Sequence, residues 1–78
     1  MNYSSVIITT NQSSFDLVIS SLTVTGLEIA HIDRDSARLV AVIEAETTTK
    51  EADIFNHIRQ TSGVVDVSLV NHFFEDEA

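Results

Sequence analysis

The chain has 78 residues without cysteine or proline, and its 12 Asp and Glu against 4 Lys and Arg give a formal net charge of −8. This length predicts one domain, and the lack of cysteine excludes disulfides and thiolate metal sites. The charge disfavours nucleic acids and anionic membranes as partners, and no apolar run reaches the ~20 residues of a membrane span. The first residues lack the basic and apolar regions of a secretory signal, so we expect a cytoplasmic protein.

The first third of the chain predicts a strand, a helix and a second strand. The β-branched run at residues 5–10 is typical of a strand. Ser13 and Asp16 have the spacing of a helix cap, and Gly26 is well placed to end that helix. Residues 27–32 then predict strand two. The apolar stripe of the helix consists of Phe15, Val18, Ile19 and Leu22.

The remainder predicts a hairpin, a second helix and a last strand. Residues 33–36 form a polar turn, and the continuous apolar run at 39–43 indicates a central strand buried on both faces. Residues 47–49, all threonine, offer several N-caps for a second helix, and Thr48 and Glu51 have capping-box spacing. This helix has an apolar side and ends at Gly63. The last strand is predicted at residues 64–70, and residues 73–78 are expected to form a flexible acidic tail. The apolar side of the second helix consists of Ile54, Phe55 and Ile58.

The element order βαββαβ predicts the α+β ferredoxin-like fold. Right-handed crossovers place two helices on one face of a four-stranded antiparallel sheet, with strands one and three at its centre. Residues 1–78 are expected to form a single domain of this kind.

Such a fold leaves one sheet face without helices, and the alternation along each strand predicts which residues line it. Val65, Val67 and Leu69 are expected to face the helices. The opposite face is then predicted to contain Ser5, Ile7 and Thr9 of strand one, Glu28, Ala30 and Ile32 of strand two, Val40, Val42 and Glu44 of strand three, and Val64, Asp66, Ser68, Val70 and His72 of strand four.

This predicted face combines an apolar centre with a border of carboxylates, over an area of roughly 300 Å². An apolar patch with a charged border typically marks an interaction site, and the net charge favours a cationic partner. The alternative is that Val and Ile reflect β-propensity alone. The centre consists of Ile7, Val40, Val42 and Val70, and the border of Glu28, Glu44 and Asp66.

The sequence lacks the motifs of common enzymes and cofactor sites. A nucleophile elbow, a phosphate-binding loop and a dinucleotide fingerprint are all absent, and there are only two glycines. His31, His57 and His72 lack the spacing of metal ligands. Residues 11–14 carry neither the C-x-x-C of copper chaperones nor the arginine loop of acylphosphatase, and the central strands lack the aromatic and basic residues of an RNA-binding sheet. We therefore expect a binding protein without catalytic residues, cofactor or metal.

Three strand segments resemble the NapD family. Segment 63–72, GVVDVSLVNH, resembles the last strand of that family, with its pattern G-V-x-x-V-S-L-V-x-H. Segment 26–30, GLEIA, is similar to the family's G-x-E-V at the start of strand two. Residues 40–46, VAVIEAE, resemble its apolar third strand, which ends in E-A-E.

The resemblance implies a cytoplasmic chaperone that binds the twin-arginine signal peptide of NapA, the catalytic subunit of periplasmic nitrate reductase. Such a chaperone restrains export while the molybdenum cofactor and the iron–sulfur cluster are inserted. The peptide is cationic at one end and apolar after it, which suits an apolar sheet face with an acidic border. The implied peptide-binding residues are the floor Ile7, Val40, Val42 and Val70, the arginine partners Glu28, Glu44 and Asp66, and the assisting Ser68 and His72.

An interaction domain of another class is the alternative. A dimeric ACT-like regulatory domain would bury the same sheet face against a second copy. Sedimentation of the isolated chain distinguishes the two, and we expect a monomer rather than a dimer.

Overall fold

The computed structural model describes residues 2–74, with side chains through residue 70. Its strands are β1 (Asn2–Thr10), β2 (Glu28–Asp33), β3 (Arg38–Ala45) and β4 (Val64–Phe74), and its helices are α1 (Phe15–Val24) and α2 (Thr48–Gln60). The four strands form one antiparallel sheet in the order β2-β3-β1-β4. This order confirms the predicted α+β ferredoxin-like fold. Within the described residues, no helix is long and apolar enough to span a membrane.

The two central strands pair without irregularity. β1 and β3 remain in one register from Asn2 opposite Ala45 to Thr9 opposite Arg38. Burial alternates strictly along both strands. The prediction that β3 is buried on both faces is therefore wrong, because Val40 and Val42 on the side away from the helices are only half-buried.

The core lies between this sheet pair and the helices. Phe15, Val18 and Leu22 of the predicted α1 stripe are buried, and Ile58 is the buried apolar residue of α2. Burial of each such side chain contributes about 1.5–3 kcal/mol relative to its exposure. The sheet residues in this core are Val6, Ile8, Leu39, Ala41 and Ile43.

One of the three threonines predicted to cap α2 does so, whereas neither residue pair with capping spacing caps its helix. Thr47, with an extended backbone, caps α2 by accepting a hydrogen bond from the Lys50 amide, 3.1 Å from its Oγ1. Glu51 is buried instead and accepts a hydrogen bond from the Ser4 hydroxyl of β1. At α1, Asp16 makes an ion pair with Arg34 at 2.6 Å. In both helices, therefore, the acidic residue at capping spacing forms a tertiary contact.

The edge strands are less regular than the central pair. Register shifts leave Ala30 of β2 and Val65 and Val70 of β4 without a partner on the neighbouring strand. Gly26 and Gly63 precede the two edge strands, with φ angles of +87° and +95° that favour glycine.

The last strand also continues beyond its predicted end. β4 reaches Phe74 because Tyr3 and Asn2 of β1 provide partners for Phe73 and Phe74, which were predicted to belong to the tail. Residues 75–78 of the predicted tail lie outside the described residues.

Candidate functional site

The sheet face opposite the helices is the candidate site. The core side chains of β1 and β3 point to the helices, so the alternate residues of these strands line the other side. The partners of those residues extend the surface onto β2 and β4. We call this surface the open face. It comprises Tyr3, Ser5, Ile7 and Thr9 of β1, Arg38, Val40, Val42 and Glu44 of β3, Glu28, His31 and Asp33 of β2, and Asp66 and Ser68 of β4.

Three of the four predicted floor residues are neighbours on the open face. Ile7 lies directly opposite Val40, and Val42 follows two residues later on β3. Standard sheet spacings put adjacent strands about 4.8 Å apart and same-face neighbours on one strand about 7 Å apart. All three side chains are half-buried without any helix above them. Val70, the fourth, is 58% exposed at a bulge of β4, where no partner on β1 fixes its position.

The predicted arginine partners lie in two separate places. Glu28 pairs with Val42 and Glu44 follows on β3, so both lie at the end of the sheet where β2 begins. Asp66 pairs with Thr9 at the opposite end, and its Oδ2 accepts a hydrogen bond from Ser68 Oγ at 3.0 Å. Four residues along the strands and three strand spacings separate Glu28 from Asp66, about 20 Å at standard dimensions.

The bulges alter the predicted alternation on the edge strands. Val64 pairs with the buried Thr10 and packs against the core, contrary to its predicted place on the open face. Ile32 was also predicted there, but it pairs with Leu39, a core position. Val65 was predicted to face the helices, yet it is 61% exposed at its bulge.

The strand register also gives His72 and His31 positions that differ from the sequence prediction. The backbone pairs His72 with Ser4, a helix-side position of β1, whereas the prediction placed His72 on the open face. His31 takes the open-face position opposite Val40 that strict alternation assigned to Ala30. The sequence contains no signal for the bulge at Ala30, so this histidine was missed.

A cleft of about 600 Å³ adjoins the open face at the start of β2, between the sheet and α2. Buried Ala45 and Ile58 lie at its base, and four exposed carboxylates surround it. Sequence reasoning missed Asp53 and His57 here, because only the packing of α2 brings them to the end of the sheet, whereas Glu46 directly follows β3. We call this cleft the acidic notch, defined by Glu28, Glu44, Glu46, Asp53, Ala45 and Ile58.

The chemistry of the open face is that of binding. It offers apolar contact at its centre and carboxylates at two of its ends. In the part of the chain that the structure describes, no group of three His, Cys, Asp or Glu residues is placed to hold a metal ion.

Comparisons with known proteins show the family and the fold. The family model described as NapD protein matches residues 1–76. The chain is also similar to the solution structure of the E. coli Tat proofreading chaperone protein NapD, with 27% sequence identity and a TM-score of 0.82. That match covers 97% of this chain and 81% of the E. coli chain. No curated protein matches the chain.

Proposed function

We propose that this chain, which belongs to the NapD family, is a Tat proofreading chaperone that binds the twin-arginine signal peptide of the nitrate reductase subunit NapA. It holds the precursor in the cytoplasm and restrains export until the cofactors are inserted. The observation that carries this proposal is the open face, where Ile7, Val40 and Val42 form an apolar centre between carboxylates in a chain of net charge −8.

The chemistry of a twin-arginine peptide complements this face. Guanidinium groups form charge-assisted, often bidentate hydrogen bonds with carboxylates. The apolar segment after the arginines, folded as a helix, would cover Ile7, Val40 and Val42 and remove them from water. The acidic chain also attracts a cationic peptide over distance and speeds its association. The other proposed contacts are Glu28, Glu44, Asp66, Ser68, Val70 and His72.

A signal peptide fits the open face better than a second copy of the chain does. A symmetric dimer would use the same surface of both copies. Glu28, Glu44 and Asp66 would then enter an interface between two chains that each carry a net charge of −8. Such like-charge contacts oppose pairing, so we propose that the chain is a monomer.

The test is Val42→Glu. Val42 is half-buried at the centre of the open face, next to Glu28. A carboxylate at this position would have to be desolvated beneath the apolar segment of the peptide. We expect the affinity for a synthetic NapA signal peptide to fall at least ~100-fold by isothermal titration calorimetry.

For the unsubstituted chain, the affinity for the same peptide should also fall as the salt concentration rises, because screening weakens the attraction between the acidic chain and the cationic peptide.

The matched control is Val24→Glu. Val24 is 87% exposed on α1, on the helix side of the sheet. This substitution introduces the same charge into the same residue type away from the open face, so affinity should stay within about twofold of the unsubstituted chain. Circular dichroism should show that both variants remain folded. Unchanged binding by Val42→Glu would contradict the proposed face.

A further inference from the structure

We propose that the acidic notch holds the arginine pair of the signal peptide, so that the apolar segment runs from the notch across β3 and β1 toward β4. This inference rests on the proposed function and adds the direction of the peptide. It also separates the carboxylates that bind arginine from those that only border the open face.

The notch exists because β2 does not extend alongside the last residues of β3. The register of β2 begins with Glu28 opposite Val42, whereas β3 continues to Ala45 with partners on β1 alone. The space beside residues 43–45 is therefore not filled by a strand. It opens toward the loop that precedes β2 on one side and toward α2 on the other.

The interior of the notch suits the stem of a long cationic side chain. Ala45 and Ile58 are 6% and 1% exposed, and Ile54 of α2 is partly buried beside them. Arginine commonly lays its methylene groups along such an apolar surface while its guanidinium remains at a polar border. A volume of about 600 Å³ lies in the range of ligand-binding clefts.

The carboxylates around the notch are available to a cationic ligand. Within the described residues, Glu28, Glu44 and Asp53 make no ion pair, and none of the residues lining the cleft is Lys or Arg. Glu46 is the exception, because its Oε2 lies 3.5 Å from Lys50 Nζ. Three carboxylates thus remain for two guanidinium groups.

The opposite corner of the open face is less suited to the arginine pair. Asp66 already accepts a hydrogen bond from Ser68 at 3.0 Å. Arg38 lies at the same end of the sheet, because Thr9 of β1 pairs with Asp66 on one side and with Arg38 on the other. Asp33 also lies there, opposite Arg38, and it accepts a hydrogen bond from the Ser36 hydroxyl. A second cation at this corner meets two carboxylates that already accept hydrogen bonds, and one positive charge.

Continuity with the apolar centre fixes the direction. Glu28 and Val42 are cross-strand partners, and both line the notch as well as the open face. Once the arginines occupy the notch, the residues that follow meet Val42 first, and then Val40 and Ile7. The peptide therefore crosses the sheet from the β2 edge toward Ser68 of β4.

A double-mutant cycle between peptide and protein tests this placement. The peptides carry either the native arginine pair or two glutamines, and the chains are unsubstituted, Glu44→Gln, Asp66→Asn or Asp35→Asn. Asp35, in the exposed β2–β3 turn, is the control for loss of one charge outside the open face. For the unsubstituted chain we expect the arginine peptide to bind at least about tenfold more tightly than the glutamine peptide.

Glu44→Gln should weaken binding of the arginine peptide about fivefold and leave the glutamine peptide unaffected, so that the ratio between the peptides shrinks. Asp66→Asn and Asp35→Asn should leave this ratio within about twofold of its original value. A ratio that shrinks with Asp66→Asn and not with Glu44→Gln would overturn the placement and reverse the peptide, while the proposed function stands. If neither peptide binds the unsubstituted chain, the proposed function itself fails, and this inference with it.

A spin label on the peptide just before the arginine pair gives an independent measure of direction. Paramagnetic broadening should be strongest at the backbone amides of Gly26, Glu28 and Glu44, and weak at Ser68. If the peptide binds but broadening is strongest at Ser68, the arginine pair does not lie in the acidic notch, while the proposed function stands.

Discussion

The central strands and the edge strands of this sheet follow different rules. β1 and β3 pair in one uninterrupted register, whereas β2 contains one register shift and β4 contains two. On β1 a single alternation from Asn2 to Thr10 decides which residues are buried. On β4 the alternation is interrupted. Val64 packs against the core although it was predicted on the open face, and Val65 is 61% exposed although it was predicted to face the helices.

The difference arises from the number of neighbours. A central strand is hydrogen-bonded on both sides, so an extra residue would disrupt two ladders and turn core residues outward. An edge strand has one ladder, and its free side accommodates the extra residue of a bulge. The centre of the open face therefore rests on the regular part of the sheet, and its borders rest on the irregular part.

The largest expected effect on stability concerns the glycine that precedes edge strand β4. Gly63 precedes β4 at φ +95°, and a Cβ there would lie 2.7 Å from Ser14 Cβ and 2.9 Å from Val18 Cγ2. Gly63→Ala should therefore lower the free energy of unfolding by about 2–4 kcal/mol, from backbone strain and overpacking together. Urea denaturation followed by circular dichroism measures this loss.

Gly26→Ala is the matched control at the entry into β2. Gly26 has φ +87°, but a Cβ there would meet nothing within 4 Å. Only the backbone strain remains, so the expected loss is about 1 kcal/mol. Equal losses at the two glycines would show that the close approach of α1 to Gly63 contributes nothing.

Valine truncation compares a central with an edge position directly. Val6 of β1 is 0% exposed, whereas Val65 at the bulge of β4 is 61% exposed. Val6→Ala should cost about 2–3 kcal/mol of unfolding free energy, through lost burial and a cavity, and Val65→Ala below about 0.5 kcal/mol. The same denaturation measurement applies. A large effect at Val65 would mean that its side chain makes stabilising contacts despite its exposure.

The smallest effect concerns the hairpin that joins edge strand β2 to central strand β3. A hydrogen bond from the Ser36 hydroxyl holds the pKa of Asp33 below its ordinary value of 3.8, and the amides of Ser36 and Asp35 lower it further. Because the folded pKa is the lower one, the ionised carboxylate stabilises the fold above pH 3.8, and this contribution is lost as the pH falls through the folded pKa.

Ser36→Ala removes the largest cause of this shift. We expect the pKa of Asp33 to rise toward its ordinary value, measured by titrating the Asp33 carboxyl carbon in NMR spectra. Asp35→Asn serves as the control, because the hydroxyl donor to Asp33 remains. A pKa that does not move in Ser36→Ala would assign the shift to the backbone amides instead.

Much of the fold was predictable because it depends on local pattern. The apolar stripe of α1, the continuous apolar run of β3 and the two glycines after the helices predicted the βαββαβ order, which the structure confirms. The resemblance of three strand segments to the NapD family is confirmed by the family match over residues 1–76. The neighbouring positions of Ile7, Val40 and Val42 followed from strand parity on the regular central pair.

Contacts between distant segments were not predictable in the same way. Glu51 has capping-box spacing, yet its carboxylate binds Ser4 of β1, and Asp16 binds Arg34 in the same manner. Residues far apart in sequence decide these pairings, so spacing within one helix does not reveal them. The acidic notch has the same origin, since Asp53 of α2 meets Glu28 and Glu44 only after the helix packs on the sheet.

The sequence by itself determined the element order, the net negative charge and the apolar centre of the open face. These features depend on composition and on periodicity within one strand or helix, which local physics sets. Only the tertiary structure decided where Ala30, Val65 and Val70 interrupt the pairing, and which carboxylates share a corner of the sheet. A bulge inserts an extra residue into the hydrogen bonding between two strands and depends on the packing beneath them, so it forms only when the strands pair.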